Sequence, residues 1–195
     1  MGERGADPAV RLGVWAKPTL VGERVTLRPY RADDADAVWE MLSDPVGREL
    51  TATTATFDRD QIDAWVASRA DAPERLDLSI IDNATGEWAG EAVLNEPRSG
   101  PLGTAMSANF RISLRGPAWF GRGLGTEATR LVVAHAFTSI GLTQVTLDVL
   151  ARNPRAVRAY ESAGFVETGR RLEDGEKWMD MELTRDAWTT AQGAA

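Results

Sequence analysis

Residues 120–128 read Phe-Gly-Arg-Gly-Leu-Gly-Thr-Glu-Ala, and this glycine-rich segment opens the longest stretch of helical periodicity in the chain. Apolar residues recur at helical spacing from about residue 123 to residue 140, which predicts a helix that ends at Gly141. Glycines at alternate positions remove side chains from the start of that helix, so its unpaired backbone N–H groups can converge on one anion. Arg122 adds a positive charge there. The segment predicts a phosphate-binding turn, with a diphosphate as its natural ligand; a tight turn without a ligand is the alternative.

Hydrophobic periodicity and turn residues divide the rest of the chain into short elements. Strands are predicted at residues 24–30, 76–81, 88–94, 105–114, 144–150, 165–172 and 177–183. Helices are predicted between Asp34 and Pro45 and at about residues 58–70, 123–140 and 154–163, with a short helix at the C-terminus. This order is typical of one mixed α/β domain, residues 21–195, which follows a loose N-terminal arm at residues 1–20.

The composition excludes several classes of protein. The 195 residues carry 22 Lys and Arg against 29 Asp and Glu, a net charge of −7, and 43% of them are hydrophobic, which excludes a disordered or collagen-like chain. There is no cysteine, and His135 is the only histidine. Disulfides and thiol chemistry are therefore excluded, and zinc or Ser-His-Asp chemistry lacks its usual groups. We expect no metal site and interpret His135 as structural.

Charge and hydropathy also limit the partners. An acidic chain repels nucleic-acid phosphates, no apolar run approaches the ~20 residues of a membrane helix, and residues 1–15 lack the apolar segment of a signal peptide. We expect a cytoplasmic protein with neither a nucleic-acid nor a membrane partner. The acidic runs at residues 33–36 and 173–176 are predicted to be solvated, and their sign favours a cationic acceptor.

A second informative segment, residues 153–165, reads Asn-Pro-Arg-Ala-Val-Arg-Ala-Tyr-Glu-Ser-Ala-Gly-Phe. Pro154 suits the first turn of a helix, and Asn153 and Tyr160 lie on nearly the same face of that helix. A polar pair that faces one direction beside a strand end indicates a site. Each residue also has a structural interpretation, Asn153 as an ordinary N-cap and Tyr160 as an amphipathic core residue.

Two other phosphate-binding motifs are alternative interpretations of the glycine-rich segment. A P-loop is excluded because no Lys-Ser or Lys-Thr follows at the required spacing. A dinucleotide fingerprint is satisfied by Gly123, Gly125 and Ala128, with Asp148 at the end of the next strand, and would make the chain a NAD-dependent oxidoreductase. Against it, residues 115–120 separate the strand from the glycines, and few strands remain to complete a doubly wound sheet.

Together the two segments resemble the GNAT superfamily of acyl-CoA-dependent N-acyltransferases, most closely its RimJ/RimL-like branch, over about residues 24–183. The family motif [QR]-x-x-G-x-[GA], which holds the pyrophosphate of coenzyme A, reads Phe120-x-x-Gly123-x-Gly125 here. Phe120 departs from Gln or Arg and cannot donate a hydrogen bond. The motif N-x-x-[AS]-x-x-x-Y-x-x-x-G-F, the more specific of the two, matches at Asn153, Ala156, Tyr160, Gly164 and Phe165.

The resemblance implies a mixed α/β, GNAT-type fold, with a mostly antiparallel sheet, flanking helices and a central parallel pair of strands that splays apart. Acetyl-CoA would be the co-substrate, with its pantetheine arm in that gap beside residues 110–114. A primary amine, either a protein N-terminal α-amine or a small amine, would attack the thioester directly in a ternary complex. The residues that the resemblance assigns to the coenzyme are Ser113, Leu114, Phe120, Gly121, Arg122, Gly123, Leu124, Gly125, Thr126, Asn153, Ala156 and Tyr160.

The resemblance also implies catalytic roles. Residues 109–113 and 153–160 would face each other across the thioester, with Asn153 and Tyr160 as catalytic residues. Tyr160 would hydrogen-bond the sulfur and protonate the departing thiolate. A backbone N–H would polarise the carbonyl, and Leu114 is a candidate for that donor.

The general base is open. Glu91, on a strand of the sheet, is the first candidate, and a water held by Asn109 or Asn95 is the second. About a tenth of an α-amine with a pKa near 8 is neutral at pH 7, whereas much less of a lysine side chain is neutral. A weak base is therefore better suited to an α-amine acceptor than to a lysine acceptor.

The acceptor end would be built from the first two helices and the loops at residues 44–56 and 95–103. Trp39 and Trp65 could line it, although their helical spacing is more typical of core residues. Homodimers are common in the resembling family, and the C-terminal strands offer edges for such pairing. An acyl-CoA-binding module without chemistry is a further alternative.

Overall fold

In the computed structural model, residues 15–73, 75–99 and 106–193 are described. The strands are β1 (Leu20–Val21), β2 (Val25–Pro29), β3 (Leu76–Asp82), β4 (Trp88–Ser99), β5 (Met106–Leu114), β6 (Gln144–Leu150), β7 (Val166–Glu173) and β8 (Glu176–Thr184). The helices are α1 (Ala35–Ser43), α2 (Pro45–Leu50), α3 (Arg59–Arg69), α4 (Leu124–His135), α5 (Pro154–Ser162) and α6 (Arg185–Gly193). The strands form one sheet in the order β1-β2-β3-β4-β5-β6-β8-β7.

This architecture confirms the predicted mixed α/β fold. The predicted strands and helices are present close to their expected bounds, although β4 continues to Ser99 and α4 passes into a π-helical turn at Ala136–Ile140. The sequence patterns missed β1 and α2, because elements of two and six residues are too short to show a period. Asp44 begins α2 by accepting a hydrogen bond from the Gly47 N–H at 2.6 Å.

Strands β5 and β6 are the parallel pair of the described sheet, and they separate early. Their ladder has three residue pairs and ends at Asn109 and Thr146, although β5 continues to Leu114 and β6 to Leu150. The remaining neighbours in the sheet pair antiparallel. The predicted splay is therefore present, and it leaves one edge of each strand open.

The backbone groups of β5 beyond this ladder point in definite directions. The N–H of Arg115 donates to the carbonyl of Ala89, on the β4 side, whereas the carbonyl of Ala108 accepts a hydrogen bond from β6. Backbone groups alternate in direction along a strand. The N–H groups of Ile112 and Leu114 therefore point into the opening between β5 and β6.

The two faces of the sheet carry different layers. On one face, α4 packs against β2, β4 and β5 over a large apolar core that includes Leu27, Phe110 and Val132. On the other, α1 and α3 enclose a smaller core around Val38 and Ile62. None of the helices in the described part of the chain is long and apolar enough to cross a membrane.

The N-terminal arm lies mainly outside the described residues, which begin at Trp15. Trp15 itself is buried in the core beneath α4. Leu20, the last residue of the arm, begins β1 at the edge of the sheet.

Asp34 corrects the prediction that residues 33–36 form a solvated run. It is 4% exposed, and its carboxylate accepts hydrogen bonds from the Arg28 guanidinium at 2.6 and 2.8 Å and from the Ser79 hydroxyl and the Arg31 N–H, each at 2.8 Å. Burial alone would raise the pKa of Asp34. These hydrogen bonds, led by that from Arg28, outweigh burial and lower the pKa below its ordinary value.

Replacing Asp34 by alanine is expected to destabilise the fold by about 3–5 kcal/mol, because it leaves the largely buried Arg28 guanidinium without its partner. Since the pKa of Asp34 is lowered on folding, its contribution is full above the unfolded pKa of about 3.9 and is lost as the pH falls through the folded value. Urea denaturation at pH 7 and at pH 3 measures both effects. The control is Asp36→Ala, which removes an exposed ion pair with Arg59 and should cost much less. Equal losses in the two variants would contradict this assignment.

Candidate active site

The glycine turn, residues 120–126, lies at the N-terminus of α4 and beside the far end of β5. The backbones of Gly121 and Gly123 are left-handed, with φ of 71° and 78°, a conformation that glycine adopts without strain. No described residue accepts a hydrogen bond from the backbone N–H groups of residues 121–126. These N–H groups, aided by the helix dipole, suit the oxygens of a phosphate. The unpaired N–H groups that the sequence predicts at this turn are thus present, and anion binding by them stays a prediction.

A carboxylate of α4 fixes the neighbouring β1–β2 turn. Glu127 accepts hydrogen bonds from the backbone N–H groups of Glu23, Arg24 and Val25 at 2.9, 2.7 and 2.9 Å. The approach is so close that a Cβ at Gly22 would lie 2.8 Å from the Glu127 carboxyl carbon. The interaction joins segments about a hundred residues apart in sequence, and sequence patterns gave no signal for it.

Arg122 lies in the glycine turn as predicted, but its charge is already paired. Its Nη2 lies 2.5 Å from the carboxylate of Asp82, at the end of β3, and its guanidinium carbon lies 5.1 Å from the ring centre of Trp119. Asp82 is 2% exposed. The Arg122 guanidinium therefore neutralises a buried carboxylate, and its backbone N–H is the group left for an anion.

Helix α5 begins with the predicted cap. The Asn153 Oδ1 accepts a hydrogen bond from the Ala156 N–H at 3.2 Å, and Pro154 occupies the first helical position. The amide oxygen of Asn153 thus has the structural role, and its NH₂ group is the part that could face a ligand. Near the same end of the helix, the guanidinium of Arg155 covers the ring of Phe120 at 3.9 Å.

Tyr160 lies on α5 beside the point where β5 and β6 separate. It is 7% exposed, and its ring packs against Phe110 and Phe165 with centroid distances of 6.3 and 6.0 Å. Burial, followed by the nearby charge of Asp148, raises the pKa of Tyr160 well above its ordinary value. Its hydroxyl therefore stays protonated at neutral pH and can act as a hydrogen-bond donor.

Glu91 lies on β4, on the sheet face beneath α1 and α3, with Ser79 and Ser113 as its cross-strand neighbours. Its carboxylate accepts a hydrogen bond from the Tyr30 hydroxyl at 2.6 Å. Burial raises the pKa of Glu91, and the hydrogen bond from Tyr30 and the charge of Arg111 oppose that rise only in part. A carboxylate with a raised pKa is chemically suited to accept a proton.

The second base candidate is a water held by Asn95 or Asn109. Asn95 pairs across the strands with Asn109, and its Oδ1 is buried without a hydrogen-bond donor among the described residues. Tyr160 packs on Phe110, one residue from Asn109. Glu91 lies four residues from Asn95 along β4, about 13 Å away. The two base candidates therefore lie at different positions along the same pair of strands.

A charged cavity of about 640 Å³ adjoins the carboxyl end of β6. Its lining includes Asp148 and residues of the predicted acceptor segment 44–56. Arg152 joins two of its walls by donating to the Glu49 carbonyl and to the Glu176 carboxylate, each at 2.8 Å. Glu176 is thus paired rather than freely solvated. The other predicted acceptor loop, residues 95–103, lies partly outside the described residues.

The two tryptophans proposed for the acceptor end have separate surroundings. Trp65 packs edge-on against Tyr30 at 5.5 Å and lies under Arg69, which fits its interpretation as a core residue. Trp39 borders a second cavity of about 370 Å³.

The sheet argues against the dinucleotide alternative. That motif belongs to a mostly parallel, doubly wound sheet, whereas β6, which carries Asp148, pairs antiparallel with β8. The Asp148 carboxylate also lies 3.0 Å from the Arg171 guanidinium. Within the described residues, no group of three His, Cys, Asp or Glu side chains is arranged to hold a metal.

Comparison with known proteins gives a consistent result. The profile of the family described as acetyltransferase (GNAT) domain matches residues 24–166. The probable N-acetyltransferase YjcK of Bacillus subtilis is 32% identical over 158 residues, 77% of this chain and 84% of that protein. The aminoglycoside N(6′)-acetyltransferase type 1 of Klebsiella pneumoniae is 33% identical over 75 residues, 38% of this chain and 37% of that protein.

A solved structure has the same fold. The spermidine N-acetyltransferase from Vibrio cholerae, in complex with CoA and spermine, superimposes with a TM-score of 0.76 at 20% identity, over 86% of this chain and 99% of that chain.

Replacing Tyr30 by phenylalanine is expected to raise the pKa of Glu91 further, because the lost hydroxyl stabilises the charged carboxylate. A carbon-13 NMR titration of the Glu91 carboxyl measures this change. Tyr160→Phe is the matched control, since Tyr160 has no contact with Glu91, and it should leave the titration unchanged. The same Glu91 midpoint in wild type and Tyr30→Phe would show that the hydroxyl does not control this carboxylate.

Proposed function

The chain belongs to the GNAT acetyltransferase family, and on that premise we propose that it transfers the acetyl group of acetyl-CoA to a primary amine. The observation that carries the proposal is the opening between β5 and β6. It has the free N–H groups of the glycine turn at one end and Tyr160 at the other. The glycine turn would hold the diphosphate of the coenzyme, whose thioester supplies the activated acetyl group.

The open edge of β5 would orient the pantetheine arm. The N–H groups of Ile112 and Leu114 point into the opening, where amide carbonyls could accept their hydrogen bonds. Leu114 lies at the diphosphate end, because it is the last residue of β5 and the chain continues from it into the glycine turn. Ile112 lies about 7 Å closer to Phe110 along the strand. We therefore assign the N–H that polarises the thioester carbonyl to Ile112 rather than to Leu114.

Tyr160 would act mainly as a hydrogen-bond donor to the departing sulfur. A thiol with a pKa of about 8.5 is a stronger acid than an ordinary tyrosine with a pKa of about 10, so full proton transfer is unfavourable by about 2 kcal/mol. Burial of Tyr160 increases this mismatch. The hydroxyl can still stabilise the developing thiolate, and solvent can complete the protonation.

A water held by the Asn95 amide oxygen would receive the proton of the attacking amine. Asn95 is favoured over Glu91 because its buried Oδ1 has no donor among the described residues and can hold a water, whereas the Glu91 carboxylate already accepts a hydrogen bond from the Tyr30 hydroxyl at 2.6 Å. A weak base suffices for an α-amine, about a tenth of which is neutral at pH 7. Glu91 would then contribute a negative charge to the face of the sheet that lies beneath α1 and α3, without accepting the proton of the amine.

The acceptor would be a cationic amine that enters from the cavity beside Asp148. The net charge of −7 attracts cations by steering, and similar proteins are described as acting on spermidine and on aminoglycosides. The motifs at residues 120–125 and 153–165 support the narrower RimJ/RimL-like assignment, which adds protein N-termini to the acceptors. A homodimer remains the assembly that the resemblance predicts.

Calorimetry and a thiol-release assay test the proposal together. Acetyl-CoA should bind while NAD should not, and a panel of polyamines, aminoglycosides and N-terminal peptides should yield free thiol with at least one acceptor. Binding of NAD in place of acetyl-CoA would favour the oxidoreductase. Binding of acetyl-CoA without thiol release from any amine would favour the non-catalytic module.

Replacing Tyr160 by phenylalanine is expected to lower kcat by about 10–100-fold, the range of one hydrogen bond to a charged group. The dissociation constant of acetyl-CoA should change little, because the aromatic packing against Phe110 and Phe165 is kept. Steady-state kinetics and calorimetry on the same preparations measure the two quantities. An unchanged kcat would remove Tyr160 from the proposed role.

The base assignment predicts opposite results for two variants. Asn95→Leu, which removes the buried amide oxygen at similar volume, should lower kcat by about 10²-fold, whereas Glu91→Gln, which can still accept from Tyr30, should change it less than about threefold. The comparison uses kcat at saturating acceptor and melting temperatures to verify folding. A larger effect at Glu91 than at Asn95 would reverse the assignment.

A further inference from the structure

The charge that the glycine turn requires is not supplied by its own arginine. Arg122 is bound to Asp82 at 2.5 Å, and releasing it toward a ligand would leave the buried carboxylate without its cationic partner, with only the Ala84 N–H and the Thr85 hydroxyl as donors, which is unfavourable. The six backbone N–H groups of residues 121–126 have no acceptor among the described residues, but they carry only partial charges. A diphosphate therefore needs cations from outside the turn.

Arg155, on the first turn of α5, is one such cation. Its guanidinium lies over the Phe120 ring at 3.9 Å, well within the range of a cation–π contact. Among the described residues no carboxylate lies within ion-pair distance of it. Stacking uses the face of the guanidinium and leaves its N–H donors, which lie in its plane, free to bind oxygen. Phe120, which has no donor of its own, thereby holds one at the start of the glycine turn.

Arg24, at the start of β2, is a second cation that approaches from the other side. Its Cδ and Nε lie 3.5 and 3.6 Å from the position that a Cβ of Gly123 would occupy. Its backbone N–H is held by the Glu127 carboxylate at 2.7 Å. No described carboxylate forms an ion pair with its guanidinium. A Cβ at residue 123 would be in van der Waals contact with this arginine, which shows how closely the Arg24 side chain approaches the glycine turn.

We propose that Arg155 and Arg24 are the cationic residues that bind the phosphates of the coenzyme, with Phe120 as the platform for Arg155 and Glu127 as the anchor for Arg24. The inference rests on the proposed function, because it names the residues that give the same site its affinity. It assigns Arg122 a structural role through Asp82. The phosphates concerned are the diphosphate, the 3′-phosphate, or one for each arginine.

Isothermal titration calorimetry with coenzyme A and with 3′-dephospho-coenzyme A tests the assignment. Arg155→Gln and Arg24→Gln should each weaken the binding of coenzyme A at least about tenfold, the loss expected for a charge-assisted hydrogen bond. If a variant loses affinity for both ligands, the arginine that it replaces binds the diphosphate. If a variant loses affinity for coenzyme A alone, the replaced arginine binds the 3′-phosphate. Either pattern supports the proposal.

Four further variants make the experiment more specific. Phe120→Leu should weaken binding nearly as much as Arg155→Gln, and the double variant should be no weaker than Arg155→Gln alone, since the two side chains act as one unit. Arg122→Gln combined with Asp82→Asn removes the ion pair without leaving a lone charge and should cost less than about threefold. Arg59→Gln, on α3, is the control for net charge and should have no effect.

The outcomes distinguish this inference from the proposed function. If wild-type protein binds coenzyme A and the Arg155 and Arg24 variants bind it equally well, the inference is wrong while the proposed function stands. A larger loss for the Arg122–Asp82 double variant than for Arg155→Gln would also overturn it. If wild-type protein binds neither ligand, both fail. Both arginines are exposed, so circular dichroism should show folded variants throughout.

Discussion

The early separation of β5 from β6 is the constraint on which the rest of the structure depends. Three residue pairs hold the strands together, and the ladder ends at Asn109 and Thr146. Beyond that point, backbone donors that would otherwise complete the sheet face an opening, and a buried backbone group without a partner is costly. An extended ligand with its own amides satisfies these groups, so the same defect in the sheet both weakens the fold locally and creates the place for a substrate.

The opening is useful only because its ends are held in place. At the far end, Glu127 ties the start of α4 to the β1–β2 turn through three backbone hydrogen bonds. At the near end, Tyr160 is fixed between Phe110 and Phe165. Fixed geometry of this kind is what permits a short hydrogen bond to form at the reacting atom without further ordering.

Much of this could be predicted from sequence, for identifiable reasons. The strands and long helices are predicted by the local periodicity of hydrophobic residues. The glycine turn, and the pair Asn153 and Tyr160, are each predicted by residue spacing within a single short segment. What local patterns miss is pairing between distant segments. Arg122 with Asp82 and Phe120 with Arg155 are contacts across elements, and each changes which arginine is free. Asp34 was mispredicted for the same reason, since its partners Arg28 and Ser79 come from the sheet beneath it.

The distribution of charge explains how one acidic protein can bind both an anionic and a cationic substrate. A net charge of −7 attracts an amine but repels a coenzyme that carries phosphates. Arginines free of carboxylate partners lie at the glycine turn, whereas the cavity beside Asp148 is lined by five carboxylates and three arginines, so that its negative charges are in excess. Charges separated by more than the Debye length, about 8 Å at physiological ionic strength, are largely screened from each other. Each substrate therefore meets mainly the charge nearest to it, and the two can be bound together, as direct transfer in a ternary complex requires.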